Sequence, residues 1–575
     1  MKKGRPVLIL LLFVLSLSVA GQPVNDDRYL SGLVQNHGQA DVSIPFTGMQ
    51  DLMQFPKSLS VTSVKNGRIY INLSPRTLGW FLGQKFNYTI IPSEGTKGIA
   101  VSESTQQAMN WQSYPTYRQY LEIMKSFADN YPSICRLDTI GNSVRGQKVL
   151  VLKISDNVAA EEDEPEVFYS STIHGDELGG FILMMRLADS LLSSYNSSQR
   201  IKSLIDNLQI YINPLSNPDG TYNNDSTVSN CIRYNAHSYD LNRNFPDPVY
   251  PYNAGNVQQK EVTDMVKFID NHRFVISANF HAGMEIVNYP WDYPDNKSRP
   301  RHADNNWFVH VSRMYADTVH LSSPSNYMYE YDNGIVLGYV WYPVNGGRQD
   351  YVTWYRHGRE VTIELDYTKE TSSSNLDSLW KYNRRSLIDY LGNAMYGIHG
   401  HVKDSVTLKP VEALVFIKGH DCDSSQVYSD SQRGSFTRLI MPGTWDLTFS
   451  ANGYYDTTVT CVVASDTVPV SLTVFLVPRP VNIDTVRPHS PYIWPNPSTL
   501  NPRFALPPSV FGNITVTIVD MSGRKVKEYE TVYYQGGSNE LDVSGVSRGS
   551  YFVIFRNMAT GAISTGRVIL SDSKY

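Results

Sequence analysis

The sequence lacks several features that would place the protein in other functional classes. Its formal charge is −5 at pH 7, and its Lys and Arg residues are scattered, so no basic surface for nucleic acid is expected. It contains no His-Glu-x-x-His motif, which excludes a thermolysin-like zinc site, and no phosphate-binding loop. Its Gly-x-Ser-x-Gly motif, residues 545–549, lies in a β-rich segment without the strand-to-helix turn of a serine hydrolase.

Cysteine is scarce, with four in 575 residues, and no Cys-x-x-Cys spacing suggests a zinc knot. Cys422 and Cys461 fall in one small β-rich segment. They are the pair we expect to form a disulfide if the protein is exported and oxidised. Cys135 and Cys231 fit buried free thiols equally well.

Long apolar runs are also missing, except at the start of the chain. A positively charged beginning, residues 1–5, precedes an almost unbroken apolar run at 7–17, and small residues follow at Ser18, Ala20 and Gly21. This order is typical of a secretory signal peptide, residues 1–21. A membrane anchor is the alternative, but the run is shorter than the ~20 residues that span a bilayer. The mature chain is therefore expected to be soluble and exported, with no membrane span.

The length and the 41% hydrophobic content indicate several domains. Residues 22–108 are predicted to be a β-rich N-terminal extension, with Asn66-Gly67 as a hairpin turn. In residues 109–397, strand-like apolar runs alternate with amphipathic segments, which predicts an α/β domain. We expect a mixed, mainly parallel sheet with helices on both faces. Residues 398–477 and 489–575 are predicted to be small β domains, joined by a Pro-rich linker at 478–488.

Polar residues stand at the ends of predicted strands in the α/β domain. His174 and Glu177 follow the apolar run at 167–173, and His281 follows the run at 274–280. Because the carboxyl ends of strands form the ligand crevice in such sheets, we expect these three side chains to converge. Two His and one Glu, with one position left open, form the ligand set of a hydrolytic zinc site, of which carboxypeptidase A is an established example.

Glu364 lies inside the apolar strand pattern at 362–365. A carboxylate in a buried strand is costly unless it is paired or used, which indicates a function. Arg233, and Arg243 beside Asn242, are candidates for gripping a substrate carboxylate, since a guanidinium binds it bidentately. Each residue taken alone also has a plain structural interpretation, as a hydrogen-bonded core histidine or a surface salt bridge.

Taken together, these residues resemble the zinc carboxypeptidases, and several share the wording of the regulatory subgroup, which removes C-terminal Lys or Arg. The matching motifs occur in the family's order: His174-x-x-Glu177, Asn217-Pro218-Asp219-Gly220, Arg233 to Ala236, Asp240 to Pro246, His281-Ala282-Gly283, Asn288 to Asp292, Trp341-Tyr342, Gly346 to Asp350, and Thr362 to Leu365. The resemblance covers most of the predicted α/β domain.

The resemblance implies catalytic roles for several of these residues. Glu364 would be the general base, Arg233 would polarise the scissile carbonyl, and Tyr342 would close over the bound chain end. The domain would hold one Zn²⁺ through His174, Glu177 and His281.

It also implies the substrate-binding residues. Asn242 and Arg243 would bind the terminal carboxylate, and Asp292 and Gln349 would shape a pocket for Lys or Arg. Arg348 stands where the subgroup usually has Met. If its side chain pointed into the pocket, it would oppose a basic substrate.

The flanking segments carry resemblances of their own. Residues 398–477 resemble the transthyretin-like β-sandwich that follows such catalytic domains. Residues 489–575, with Trp494-Pro495-Asn496-Pro497, resemble the C-terminal sorting domain of the type IX secretion system of Bacteroidetes. That resemblance implies export across the outer membrane and possible surface attachment; a plain β adhesion module is the alternative. Residues 22–108 are either a propeptide covering the cleft or a permanent accessory domain.

The predicted function is a secreted zinc-dependent carboxypeptidase that acts on peptides or proteins with a free C-terminus. One alternative is a zinc amidase or carboxypeptidase acting on cell-wall stem peptides. Another is a catalytically dead surface binding protein on the same scaffold.

Overall fold

The computed structural model describes residues 26–48, 51–52, 54–92, 98–248, 257–292, 301–479, 491–507, 509–534 and 537–572. The predicted signal peptide and residues 480–488 of the predicted linker lie outside these ranges. The chain divides into two compact units, Met1–Pro478 and Arg479–Tyr575, each described by itself.

The first unit begins with an antiparallel sheet of four strands in the order β2-β3-β1-β4. Asn66 and Gly67 form the two-residue turn between β2 and β3 with φ values of 52° and 69°, which confirms the predicted hairpin. The elements are α1 (Asp27–His37), β1 (Ala40–Pro45), β2 (Ser60–Lys65), β3 (Arg68–Leu73), α2 (Leu78–Gly83) and β4 (Thr89–Ile91). We call residues 26–92 the N-terminal segment.

An eight-stranded mixed sheet follows, in the order β11-β10-β12-β9-β7-β8-β6-β5. Its central pairs β12–β9, β9–β7 and β7–β8 are parallel, as the sequence predicts. The strands are β5 (Cys135–Asn142), β6 (Lys148–Ile154), β7 (Glu166–Ser171), β8 (Gln209–Asn213), β9 (Phe274–His281), β10 (Met284–Tyr289), β11 (Ile335–Leu337) and β12 (Arg359–Asp366).

The helices cover both faces of this sheet because alternate residues of each strand point to opposite faces. In β7, Val167 and Tyr169 join one hydrophobic core and Phe168 joins the other. The first core includes residues of α4, α5, α9 and α13, and the second includes residues of α8 and α12. The helices are α3 (Thr105–Ala108), α4 (Tyr117–Asn130), α5 (Gly179–Ser194), α6 (Gln199–Ile205), α7 (Pro218–Thr221), α8 (Lys260–Asp270), α9 (Asn305–His320), α10 (Glu330–Asn333), α11 (Gly338–Trp341), α12 (Arg348–Tyr355) and α13 (Leu376–Gly392).

Two small sheets, β16-β13-β19 and β15-β14-β17-β18, pack around one apolar core and complete the first unit. We call them the sandwich. Its strands are β13 (Ile398–Asp404), β14 (Leu414–Ile417), β15 (Val427–Tyr428), β16 (Ser435–Arg438), β17 (Gly443–Ser450), β18 (Thr457–Val463) and β19 (Val470–Leu476). The likeness to transthyretin stays a prediction.

The expected disulfide between Cys422 and Cys461 is not formed. Cys461 is buried on β18, whereas Cys422 lies in the loop after β14, and β17 separates these two strands in the sheet. Two strand spacings are about 10 Å, farther than the ~7 Å between Cα atoms that a disulfide bridges. Cys135 is a buried thiol, as one of the two alternatives had it, and burial raises its pKa to about 12.

The second unit is also built from two sheets, β20-β21-β24 and β23-β22-β25-β26, around its own core. Its strands are β20 (Tyr492–Trp494), β21 (Arg503–Ala505), β22 (Gly512–Val519), β23 (Lys525–Tyr533), β24 (Asn539–Glu540), β25 (Gly549–Asn557) and β26 (Ile563–Leu570). The β domain predicted here is therefore present.

Candidate metal and substrate site

The structure brings the three expected metal ligands together. His174 follows β7, Glu177 precedes α5, and His281 ends β9. The Nδ1 atoms of His174 and His281 lie 3.1 Å apart, and each is 2.8 Å from a carboxylate oxygen of Glu177. All three side chains are buried.

This arrangement fits a zinc ion. Two nitrogen ligands of a tetrahedral zinc, each about 2.0–2.1 Å from the metal, stand about 3.3 Å apart, close to the distance between these Nδ1 atoms. Two neighbouring imidazole nitrogens and a carboxylate aimed at one buried point favour a shared cation over mutual hydrogen bonds. The donor set is that of a hydrolytic zinc site, with three protein ligands and one open position.

Close backbone packing explains why glycine follows His174. A Cβ on Gly175 would stand 2.3 Å from the carbonyl carbon of Gly220, so the chain passes there only as glycine. The Asn217 amide donates to the carbonyl oxygens of Ile173 and Arg233, both at 3.2 Å. The Asn-Pro-Asp-Gly motif therefore holds the His174 loop against the chain that carries Arg233, a role the sequence analysis did not assign.

Asp240 is a second residue whose role was not predicted from the sequence. Its Oδ1 lies 3.0 Å from His174 Nε2, and its Oδ2 accepts from Arg233 Nε at 3.0 Å. A carboxylate on the outer nitrogen of a ligand histidine fixes the tautomer that leaves Nδ1 free for metal. The signal was present in the sequence, since Asp240 opens the motif that contains Asn242 and Arg243.

Glu364 lies beside the metal group because β12 and β9 run parallel with Glu364 opposite His281. It is 7% exposed, and its Oε2 has no hydrogen-bond partner within the described ranges. Burial, with the Glu177 carboxylate adding to it, raises the pKa of Glu364 well above its usual range. It is thus a buried carboxylate with an oxygen free to take a proton.

Arg243 and Asn242 lie on the short turn Leu241–Arg243, as expected at the same cavity. The Asn242 side-chain oxygen accepts from the backbone N–H of Arg348 at 2.9 Å. One Arg243 nitrogen donates to the carbonyl oxygen of Asn242, and another donates to that of Val61, both at 2.9 Å. A backbone carbonyl of the N-terminal segment therefore meets the guanidinium expected to bind a substrate carboxylate.

Asp292 and Gln349 also come together. Asp292 Oδ1 accepts from Asn288 at 2.7 Å and from Gln349 at 2.9 Å, and Asp292 lines the cavity. Burial raises the pKa of Asp292 to about 6. The carbonyl oxygens of the Asn288 and Gln349 amides have no hydrogen-bond donor in the described part of the chain. The group therefore offers acceptors and a negative charge to an incoming side chain.

Arg348 does not face this group. Its guanidinium donates to Glu360 at 2.9 Å and lies 4.6 Å from the centre of the Phe168 ring, in the core on the other side of α12. Glu360 also accepts from Ser277 at 2.7 Å and from Asn279 at 3.0 Å. The departure from the subgroup's pattern at Arg348 therefore adds no positive charge to the cavity.

Tyr342 is buried at the cavity, where it packs into the apolar core of the N-terminal segment. The same core takes in Met284, Ile286, Val336 and Trp341 of the α/β domain. The cavity encloses about 300 Å³. Its wall joins the metal group, Glu364, the Arg243 turn and Asp292 to residues of the N-terminal segment, which are Asp41, Thr62, Ser63, Lys65, Tyr70 and Ile91.

Polar contacts also anchor the N-terminal segment over the site. Ser60 donates to Asp240 at 2.7 Å, and Gln39 accepts from the backbone N–H of Arg233 at 2.8 Å. The Tyr234 hydroxyl donates to the carbonyl oxygen of Asn72 at 2.7 Å. No sequence pattern signalled these contacts, because they join positions far apart in the chain.

Comparison with known proteins agrees with this geometry. Residues 120–386 match the zinc carboxypeptidase family model. The chain is 32% identical to carboxypeptidase SOL1 of Arabidopsis thaliana over 369 residues, which is 63% of this chain and 72% of that protein. It is 33% identical to mouse carboxypeptidase M over 346 residues, 58% of this chain and 76% of that protein.

The chain belongs to the zinc carboxypeptidase family. It is also 31% identical to human carboxypeptidase D over 356 residues, covering 60% of this chain and 25% of that much longer protein. The family membership confirms the predicted α/β fold and the assignment as a metallocarboxypeptidase.

A second family model, the secretion system C-terminal sorting domain, matches residues 492–570. This match confirms the predicted sorting domain, which indicates export to the cell surface or the medium. Within the described residues, no helix is long and apolar enough to cross a membrane.

Proposed function

We propose that this zinc carboxypeptidase is secreted and removes C-terminal Lys or Arg from peptides and proteins. The observation that carries the proposal is the meeting of His174, Glu177 and His281 with Glu364 in one cavity, which also holds Arg243 and Asp292. The sorting domain supports secretion.

His174, Glu177 and His281 would hold the zinc. When bound, the ion supplies a Lewis acid and lowers the pKa of a coordinated water. Glu364 takes the proton of the attacking water at its free oxygen and passes it to the departing amine. Arg233, which lines the cavity, stabilises the charge that develops on the carbonyl oxygen.

Arg243 and Asn242 bind the terminal carboxylate of the substrate. Arg243 is 5% exposed, and a substrate without a charged C-terminus would offer this buried guanidinium no carboxylate in exchange for the Val61 carbonyl oxygen. This cost restricts cleavage to the last peptide bond. Tyr342 packs over the bound chain end.

Asp292 selects a basic side chain. Its Oδ1 is fixed by two amides, which orient the carboxylate, and Arg348 is turned away toward Glu360. A Lys or Arg side chain supplies both the positive charge and the N–H donors that the pocket lacks.

We also propose that the N-terminal segment is an inhibitory cover and not a permanent accessory domain. The carbonyl oxygen of Val61 occupies Arg243, where the substrate carboxylate must bind, and Ser60 bonds Asp240 beside it. Substrate and cover therefore exclude each other.

The reaction is tested by incubating the full chain, before and after limited proteolysis of the N-terminal segment, with a short peptide ending in Lys, its C-terminal amide, and a matched peptide ending in Leu. We expect release of free Lys from the first peptide, abolition by a chelator, and little release from the other two. Equal cleavage of the amide would favour the zinc amidase. A D-amino-acid stem peptide cleaved in preference to all three would favour the cell-wall substrate.

The cover is tested on the same full chain before and after limited proteolysis that removes the N-terminal segment. We expect activity on the Lys peptide to rise severalfold when the segment is lost. Unchanged activity would show that the segment is a permanent accessory domain.

A further inference from the structure

Lys369 is a cation in the cavity wall for which the proposed reaction has no role. It follows β12 in the chain, and its side chain is 17% exposed. Its Cγ lies 4.0 Å from the position that a Cβ of Gly283 would take, so its stem runs past the chain that follows His281. The Lys369 side chain can therefore contact a molecule bound in this part of the cavity.

An acidic side chain of the N-terminal segment occupies that place. Asp41 on β1 puts Oδ1 3.5 Å from Lys369 Nζ, and Asn72 on β3 donates to the same oxygen at 2.9 Å. Asp41 is part of the cavity wall, and its side chain is 32% exposed. The cover therefore presents a carboxylate to Lys369 as well as a carbonyl oxygen to Arg243.

The strand order of the cover gives the approximate spacing between the backbone positions that make these two contacts. Val61 lies on β2 and Asp41 on β1, with β3 between them. Two strand spacings make about 10 Å. An extended peptide advances about 3.3–3.6 Å per residue, so about three residues bridge this distance. A substrate whose carboxylate sits at Arg243 thus brings its second or third residue from the C-terminus to Lys369.

We propose that Lys369 is a substrate-binding residue upstream of the scissile bond, which pairs with a Glu or Asp side chain in one of the two residues preceding the C-terminal residue. Asp41 holds this place in the covered protein. The inference rests on the proposed function, because Arg243 must bind the substrate carboxylate to set the register.

The test uses peptides that end in Lys and differ only in carrying Glu or Gln at the second or third position from the C-terminus. The enzyme is the full chain, assayed before and after the limited proteolysis described above. We expect kcat/KM about tenfold higher for a Glu peptide than for its Gln twin, the weight of one charge-assisted hydrogen bond. Lys369→Met should remove this preference, so that a Glu peptide and its Gln twin are cleaved with equal kcat/KM.

Two control variants separate charge from structure. Lys369→Arg keeps the cation and should keep the preference, and Lys381→Met, at an exposed position of α13, should also keep it. Equal rates for Glu and Gln peptides in the unaltered enzyme, or an unchanged preference in Lys369→Met, would overturn the inference alone. Failure of every form to release Lys from any peptide would defeat the proposed function together with this inference.

The contact with Asp41 is tested separately on the intact chain. Asp41→Asn and Lys369→Met should each speed proteolytic loss of the N-terminal segment, and the double variant should lose it no faster than either alone. Additive effects would show that the two side chains do not act as a pair.

Discussion

Two clusters of histidine and carboxylate side chains in this protein have similar compositions but different ionic partners. His174, Glu177 and His281 form one, and Asp304, His420 and Asp421 form the other; in each, the potential ligand atoms lie within 4.8 Å of one another. The second cluster joins the α/β domain to the sandwich. A count of histidines and carboxylates does not distinguish them.

The two clusters differ in which groups supply positive charge to their carboxylates. Both oxygens of Asp304 accept from guanidinium groups: Arg359 at 2.6 Å, and Arg438 at 2.7 and 3.1 Å. Arg438 also bonds Asp421, and the pKa of Asp304 is held well below its usual range because these cations outweigh its burial. The two arginines therefore already supply the positive charge that a metal ion would bring to the Asp304 cluster.

The first cluster has less positive charge around its carboxylate. Arg233 reaches one oxygen of Glu177 at 3.2 Å. His281 Nε2, and Oε2 of the neighbouring Glu364, have no hydrogen-bond partners among the described residues, and both residues line the same cavity. Buried polar atoms are normally satisfied, so such atoms grouped in a cavity point to chemistry and not to stability.

Removing one histidine from each cluster should give the largest contrast. His281→Ala takes away a metal ligand and should reduce bound zinc from one equivalent to none, with activity at background. His420→Ala, the matched change in the Asp304 cluster, should leave zinc at one equivalent. Metal analysis of the purified proteins measures both. A zinc-loaded, active His281→Ala protein would contradict the ligand assignment.

Glu364→Gln should separate chemistry from metal binding. It removes the general base but no ligand, so zinc should stay bound while kcat falls about 10²- to 10⁴-fold. Steady-state kinetics on a peptide ending in Lys measures the loss. Turnover near that of the unaltered enzyme would remove Glu364 from its role.

Asp304→Asn should act on stability alone. It leaves the buried cations Arg359 and Arg438 without their shared carboxylate, which should lower the free energy of unfolding by about 3–5 kcal/mol. Denaturant unfolding gives this value, and kcat of the folded protein should be unchanged. A large loss of kcat with normal stability would assign this cluster a catalytic function.

Asp292→Asn should have the smallest effect, confined to basic substrates. We expect kcat/KM to fall about tenfold or more for a Lys peptide and to change little for a Leu peptide, since only the former loses a charge-assisted hydrogen bond. Equal losses of kcat/KM for the Lys and the Leu peptide would contradict the assignment of Asp292 as the residue that selects basic side chains.

The pH dependence of KM tests the role of the Asp292 charge without a mutation. The pKa of Asp292 is raised to about 6, so its charge is present above this pH and lost as the pH falls through it. The KM for Lys peptides should therefore rise below about pH 6, and that for Leu peptides should not.

The sequence was sufficient for features set by local patterns. The alternation of apolar runs predicted the α/β domain, and the polar residues at strand ends predicted where His174, Glu177 and His281 would meet. The direction of the Arg348 side chain could not be predicted in this way. It depends on how α12 packs on the sheet and on the ion pair with Glu360, and neither can be read from the sequence pattern.

The contacts of the N-terminal segment were also beyond the sequence. Val61 meets Arg243 through a backbone oxygen, which every residue type carries. The Cys422–Cys461 disulfide was wrongly expected for a similar reason. The two cysteines lie in one short segment of the sequence, but that does not reveal that β17 separates their strands in the sheet.

Anomalous scattering at the zinc edge from crystals of the full chain would locate the metal itself. We expect one peak, about 2.0–2.1 Å from the Nδ1 atoms of both His174 and His281, and none beside Asp304. A peak at the Asp304 cluster, or zinc-containing crystals with no peak between the two histidines, would contradict this expectation.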